Sequence, residues 1–145
     1  MTTKERQRLV VGVDGSEDSN QALRWALEHA PPMGAEVEAL TAWEVPLSIL
    51  LVPTATERDY EDRAERVLQA VMDEVVGPAP AVTVTARLVE GRPANVLTSE
   101  ARGAALLVVG GHGRGELPGM HLGSVAGYCV HHAPCPVVVV RDASE

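Results

Sequence analysis

The sequence has 145 residues, of which 46% are hydrophobic, and a formal net charge of −8 at pH 7. A chain of this length typically forms one domain with a substantial core, so we expect a single domain over residues 1–145. The acidic balance and the aromatic content of only 3% disfavour nucleic acid and anionic membrane surfaces as partners, because these ligands select clustered Lys and Arg and stacking aromatic rings.

The start of the chain and its cysteines indicate the compartment. "MTTKERQRLVV" has charges but no signal-peptide core, and no apolar run reaches the length of a membrane span, so we expect a cytoplasmic protein. Cys129 and Cys135 are too few for a disulfide framework and are most simply reduced thiols. A metal site of His131, His132 and Cys135 is the weaker alternative, because the spacing repeats no familiar ligand pattern.

Strand and helix patterns alternate along the whole chain. Five apolar segments, most of them rich in β-branched residues and bounded by glycine or proline, predict strands at 8–14, 36–43, 82–91, 104–110 and 136–141. Apolar residues at helical spacing predict four helices between them, at 19–30, 60–75, 93–101 and 125–132. We expect Asp18 or Ser19 to cap the first helix and Pro31-Pro32 to end it.

This alternation predicts an α/β fold: a doubly wound, five-stranded parallel sheet with helices on both faces, of Rossmann-like type. In such sheets ligands bind outside the carboxyl ends of the strands, where the strand order reverses. Asp14, Trp43, Glu90 and Gly110 lie at predicted strand ends. We therefore expect the binding crevice at this edge of the sheet.

A glycine-rich loop follows the fourth predicted strand. "GGHGRGELPGMHLGS" (110–124) holds six glycines in fifteen residues. It is neither a Walker A motif, which needs Gly-Lys-Ser or Gly-Lys-Thr, nor a dinucleotide fingerprint. Its glycines can expose backbone amides, Gly123-Ser124 opens a helix whose N–H groups attract an anion, and Arg114 supplies a cation. The loop therefore favours a polyphosphate, and the alternative is a flexible surface loop with an ordinary serine cap.

The spacing Gly110-x2-Gly113-x9-Gly123-Ser124 resembles the motif of the universal stress protein family, in its single-domain, nucleotide-binding type. The flanking segments "VVGVDGSEDS" and "HAPCPVVVVR" are similar to the family as well, so the resemblance covers the whole chain. It implies ATP as the ligand, with Mg²⁺ as its companion. The residues that it implicates are Gly12 and Asp14 beside adenine and ribose, Ala42 at the adenine edge, Gly110 by the ribose, and Gly111, Gly113, Arg114, Gly115, Gly123, Ser124 and Val125 around the phosphates. One departure is Ala126, where many ATP-binding members carry a second hydroxyl.

Several of these residues also have a plainer interpretation. Asp14 can serve only to cap the turn through Ser16, and His112 can be an exposed loop residue instead of a phosphate contact. The apolar segment 47–54 is either a lid or part of a subunit contact.

The function that we expect is that of a nucleotide-binding stress-response module that signals through its occupied state or through an unknown protein partner. One alternative is a weak ATPase or phosphotransferase in which Asp14 helps to hold Mg²⁺. Another is a family member that acts only through protein contacts. The final strand has no later element to cover its edge, so we expect a homodimer through residues 136–140, an assembly that the resemblance also implies.

Overall fold

The computed structural model describes residues 6–51, 54–113 and 122–141. These residues form one five-stranded sheet in the order β3-β2-β1-β4-β5, with every neighbouring pair parallel. The α/β prediction is therefore confirmed. The strands are β1 (Gln7–Gly12), β2 (Ala35–Trp43), β3 (Val84–Glu90), β4 (Leu106–Gly110) and β5 (Val137–Val140).

Within the described ranges, four α-helices connect the strands and cover both faces of the sheet. They are α1 (Glu17–Met33), α2 (Glu57–Val71), α3 (Pro93–Glu100) and α4 (Ser124–His132), with a 3-10 helix at Leu47–Leu51 and a π-helical turn at Met72–Val76 that extends α2. None of the helices in the described part of the chain is long and apolar enough to cross a membrane.

The two faces of the sheet carry separate hydrophobic cores, as the alternation of side chains along a strand requires. Leu9 and Val11 of β1 pack in a core with α1 and α2, whereas Val10 packs in a core with α3 and α4. The order of the strands reverses between β1 and β4, because the chain moves outward from β1 to β3 and then returns to β4. Right-handed crossovers then place α1 and α2 on one face and α3 and α4 on the other.

The ends of α1 differ from the prediction. The cap is Ser16, two residues before Asp18, and its hydroxyl accepts a hydrogen bond from the N–H of Ser19 at 3.3 Å. Pro31-Pro32 does not end the helix, which runs to Met33. Proline already has a helical φ, so two prolines in the last turn remove two hydrogen bonds without redirecting the chain. Gly34 ends the helix instead, with a left-handed φ of 63° and an N–H that donates to Pro31 O at 3.0 Å.

A charged cluster lies next to the C-terminal end of α3. Arg87 donates to both Glu38 and Glu100 at 2.7 Å, and Arg8 donates to Glu38 at 3.2 Å. Arg8 also donates to the carbonyl oxygens of Glu100 and Arg102. The cluster therefore joins three strands to the end of one helix.

Candidate functional site

A cleft of ≈ 430 Å³ opens at the carboxyl ends of β1 and β4, the position at which the strand order reverses. Its walls come from the ends of β1, β2 and β4 and from the N-terminal parts of α1, α3 and α4. The lining residues are Gly12, Val13, Asp14, Ser19, Leu40, Ala42, Pro93, Leu97, Val109, Gly110, His112, Gly113, Ser124, Val125 and Ala126.

Asp14 lies at the rim of the cleft and also shapes the turn into α1. Its Oδ1 accepts hydrogen bonds from the backbone N–H of Ser16, at 2.9 Å, and from the Ser16 hydroxyl. The backbone N–H of Asp14 donates to the Ser19 hydroxyl at 3.2 Å. Asp14 therefore caps the turn through Ser16 and also lines the cleft, so the two interpretations of this residue do not exclude each other.

His112 and Asp18 form a buried pair at the cleft. The side chains of His112 and Asp18 are 5% and 2% exposed, and His112 Nδ1 lies 3.4 Å from Asp18 Oδ2. The same carboxylate oxygen accepts the backbone N–H of His112 at 3.0 Å. The interpretation of His112 as an exposed loop residue is wrong, because the residue is buried and its ring lies against Asp18 of α1.

Gly110 and Gly111 are required by close packing and not by a left-handed backbone. A Cβ on Gly110 would lie 2.7 Å from the carbonyl carbon of Asp18 and 2.8 Å from the nitrogen of Ser19. A Cβ on Gly111 would lie 2.7 Å from Cγ of Arg141. These contacts bring the backbone of α1 against the end of β4, so the cleft has a fixed wall on that side.

The first turns of α3 and α4 both line the cleft. Pro93 begins α3, where its missing N–H costs no helical hydrogen bond, and Ser124 begins α4 directly after the cap Gly123. The N-terminal N–H groups and the dipole of a helix favour an anion. Leu40, Leu97 and Val109 give the cleft an apolar part, so one ligand with an apolar ring and an anionic group matches the lining.

Comparison with known proteins assigns the family. A model of the universal stress protein family matches residues 5–141. The chain belongs to the universal stress protein family. A universal stress protein of Mycobacterium tuberculosis is 39% identical over 137 residues, which are 92% of this chain and 43% of that protein. That protein and three further mycobacterial universal stress proteins, which are 32–36% identical to this chain, are each more than twice as long as the matched segment.

Solved structures of the family share the fold. A universal stress protein family protein from Burkholderia pseudomallei is 29% identical, with a TM-score of 0.62 over 92% of this chain and 95% of that chain. A universal stress protein in complex with cAMP is 28% identical, with a TM-score of 0.69 over 92% of this chain and 96% of that chain.

The structure of this family member brings most of the implicated residues together. Seven of them line the cleft: Gly12, Asp14, Ala42, Gly110, Gly113, Ser124 and Val125. Gly111 and Gly123 do not line it. Their backbones hydrogen-bond to each other, the N–H of Gly123 donating to Gly111 O at 2.7 Å, and so hold together the two ends of the loop. Arg114 and Gly115 lie outside the described residues.

The residue pattern did not identify every part of the lining. Pro93 and Leu97 of α3 were predicted as helical residues and not as site residues. Both follow the end of β3, and the rule that ligands bind beyond strand ends applies to them as it does to Asp14. His112 was left open between a phosphate contact and an exposed loop residue, and its partner Asp18 was named only as a helix cap.

The residues of the alternative metal interpretation, His131, His132 and Cys135, are all described. They do not form a group that could hold a metal ion. Cys129 is fully buried between α4 and the sheet, and burial raises the pKa of its thiol to about 11. This thiol is a core residue.

Proposed function

We propose that this chain is an ATP-binding module of the universal stress protein family, with the phosphates bound by the Gly110-x2-Gly113-x9-Gly123-Ser124 loop. One observation carries the proposal. Residues as distant in sequence as Gly12 and Val125 line a single cleft at the reversal of strand order. A solved family member, 28% identical to this chain, is described in complex with cAMP, which is also an adenine nucleotide.

The lining suggests how the nucleotide lies. The apolar part of the cleft, with Leu40 and Leu97, suits the faces of an adenine ring, and Ala42 at the end of β2 borders the same part. The first turn of α4, with the Ser124 hydroxyl and its neighbouring N–H groups, suits the phosphates. In this orientation Asp14 borders the ribose.

The chemistry of the site favours binding over turnover. Asp14 is the carboxylate that could help to hold Mg²⁺ beside the nucleotide, but its Oδ1 already accepts two hydrogen bonds from Ser16. Ala126 lines the cleft without a hydroxyl. We infer a module whose occupied state is the signal, with an affinity lowered by one missing donor.

Calorimetric titration with ATP and Mg²⁺, together with melting curves, tests the proposal. ATP well above its dissociation constant raises the melting temperature, because only the folded chain binds it. Gly113→Val should abolish or severely weaken binding, because Gly113 lines the cleft and a branched side chain would occupy the space of a phosphate. Gly127→Val is the matched control: Gly127 lies in α4, and a Cβ there meets no atom within 4 Å.

The outcomes separate three functions. Absence of heat and of a melting shift at millimolar ATP contradicts nucleotide binding and leaves a module that acts through protein contacts. Phosphate release that Gly113→Val removes would instead identify an ATPase. Binding without phosphate release is the result that we expect.

We also propose a cytoplasmic homodimer that forms through the edge of β5. Leu107 N–H donates to Pro136 O at 3.0 Å and Gly111 N–H donates to Val140 O at 2.8 Å. Alternate residues of a strand point the same way, so Val138 also faces β4, and Val137 and Val139 direct their backbone groups toward the open edge. The side chains of β5 are only partly buried in the single chain, as expected of a surface that a second copy covers.

A further inference from the structure

The glycine motif assigns no role to His112 and Asp18, which form a buried pair at the cleft. His112 follows the first two glycines of the loop and lines the cleft, and its side chain is only 5% exposed. Asp18 lies in the first turn of α1, and its side chain is 2% exposed. A carboxylate at this depth is costly unless it is hydrogen-bonded or paired with a cation.

We propose that His112 is a nucleotide-binding residue that Asp18 positions, and that it selects phosphorylated ligands over nucleosides by taking up a proton as the phosphates bind. The inference rests on the proposed nucleotide site and names the group that makes the site specific for an anion.

Two contacts of Asp18 make it a positioning residue. Its Oδ2 lies 3.4 Å from His112 Nδ1 and accepts the backbone N–H of the same residue at 3.0 Å. One carboxylate oxygen therefore fixes both the backbone and the ring of His112. Such a partner favours a proton on Nδ1 and stabilises the imidazolium relative to the neutral ring.

The charges around His112 explain why a proton would accompany the ligand. Asp18 faces it from α1, and Asp14 lines the same cleft from the turn after β1. After β5, the side chain of Arg141 packs at Gly111, where a Cβ would lie 2.7 Å from its Cγ and 3.6 Å from Asp18 Oδ2. Ser124 of α4 also lines the cleft, and its side chain carries no charge. Among the described residues that line the cleft, those with a titratable side chain are Asp14 and His112, and the Asp18 carboxylate lies directly against His112. A phosphate in the cleft is repelled by these carboxylates, and protonation of the His112 imidazole reduces that repulsion.

The sign of the pH dependence follows. A bound phosphate favours the imidazolium, so binding raises the pKa of His112 above its value in the free protein. Affinity for ATP then increases as the pH falls through the ordinary histidine range near about 6.5, by at most about tenfold per pH unit for one proton. Adenosine carries no phosphate, and its affinity does not follow this dependence.

Calorimetry between about pH 5.5 and 8.5, with ATP and adenosine as probes, tests the proposal on the whole chain. ATP itself gains a proton in this range, so the measured quantity is the difference in pH slope between the wild type and each variant. His112→Asn should flatten the slope for ATP, whereas the affinity for adenosine should show no such pH slope in either protein. Asp18→Asn keeps an acceptor for the backbone N–H but removes the charge that stabilises the imidazolium. The pH range over which the ATP affinity rises should therefore move to lower pH, and ATP binding at high pH should be retained. His29→Asn is the control, because His29 stacks on Trp25 of α1, at 4.0 Å between ring centroids, and does not line the cleft.

The results discriminate between the inference and the proposed function. If ATP binds and both site variants keep the wild-type slope, or lose affinity equally at every pH, His112 has no such role, and nucleotide binding stands. If neither ATP nor adenosine binds the wild type at any pH, both fail. Histidine ¹⁵N spectra give an independent measurement in the wild type: addition of ATP should raise the pKa of His112, and an unchanged value overturns the inference.

Discussion

The contact between Gly110 and the first turn of α1 leads to a quantitative prediction for Gly110→Ala. The new Cβ would lie 2.7 Å from the carbonyl carbon of Asp18 and 2.8 Å from both Asp18 Cβ and Ser19 N. Ordinary carbon contacts begin near about 3.5 Å, so the helix backbone would have to move by about 0.8 Å. Because most of these atoms belong to backbone, no rotamer change relieves the overlap.

Overpacking of this kind costs about 1–3 kcal/mol in the free energy of unfolding. For a chain of 145 residues this corresponds to a fall in melting temperature of about 3–9 °C. Gly127→Ala is the matched control: its Cβ meets nothing within 4 Å, and alanine in a helix is favoured by about 0.5–1 kcal/mol.

Urea denaturation followed by circular dichroism measures both variants against the wild type. We expect a lower midpoint for Gly110→Ala, a slightly higher midpoint for Gly127→Ala, and equal slopes for all three proteins. A Gly110→Ala midpoint equal to that of the wild type would refute the reasoning. It would mean that α1 moves aside without cost and that the wall of the cleft is not fixed by this contact.

Three further predictions concern the edge strand, a buried thiol and the charged cluster. Val139→Pro should weaken the proposed homodimer in sedimentation, because Val139 directs its N–H to the open edge; Val138→Pro should instead destabilise the fold, and a Val139→Pro dimer as tight as the wild type contradicts the edge contact. Burial raises the pKa of the Cys129 thiol to about 11, so we expect iodoacetamide at about pH 8 to label this residue at least tenfold more slowly than in the urea-unfolded chain. The contribution of the protonated thiol to the free energy of unfolding is complete below about pH 8.5 and is lost as the pH rises toward 11. Equal labelling rates would contradict its burial. Arg87→Met should lower the free energy of unfolding by no more than about 1 kcal/mol, because the Arg87 side chain is 41% exposed and solvent screens its pairs with Glu38 and Glu100. A cost that persists when Glu38 and Glu100 are both already replaced would show that the pairs are not its source.

Local patterns predicted the elements of this fold better than their ends. The strands and helices occur where periodicity placed them, because each apolar stripe has a sheet face or a helix to cover it. The start of α1 was misplaced because Asp18, Ser19 and Ser16 all have side chains that can cap a helix, and only the backbone shows that Ser16 is extended, with ψ 158°. The helix end was misplaced because proline was treated as a stop, whereas the left-handed Gly34 ends it.

The site was predictable where a motif or a strand end marked it, and not where a long-range contact made it. Asp14 and Gly113 belong to such marked positions. Asp18 and His112 are 94 residues apart, and their contact exists only because β4 pairs with β1. No spacing within the sequence indicates that these two strands pair, so the burial of His112 could be seen only in the structure.

Fewer residue pairs join β1 to β4 than join any other two neighbouring strands of the sheet. Three residue pairs join β1 to β4, whereas six join β1 to β2 and seven join β2 to β3. The first half of the domain, with β3, β2 and β1, therefore meets the second half along a short seam, and the cleft opens directly above it. A ligand bound there touches both halves, so its free energy of binding opposes their separation. Ligand binding would therefore slow amide hydrogen exchange at Val10 and Val108 more than exchange in helices far from the cleft. The stability of the contact between the two halves would then depend on whether the ligand is bound.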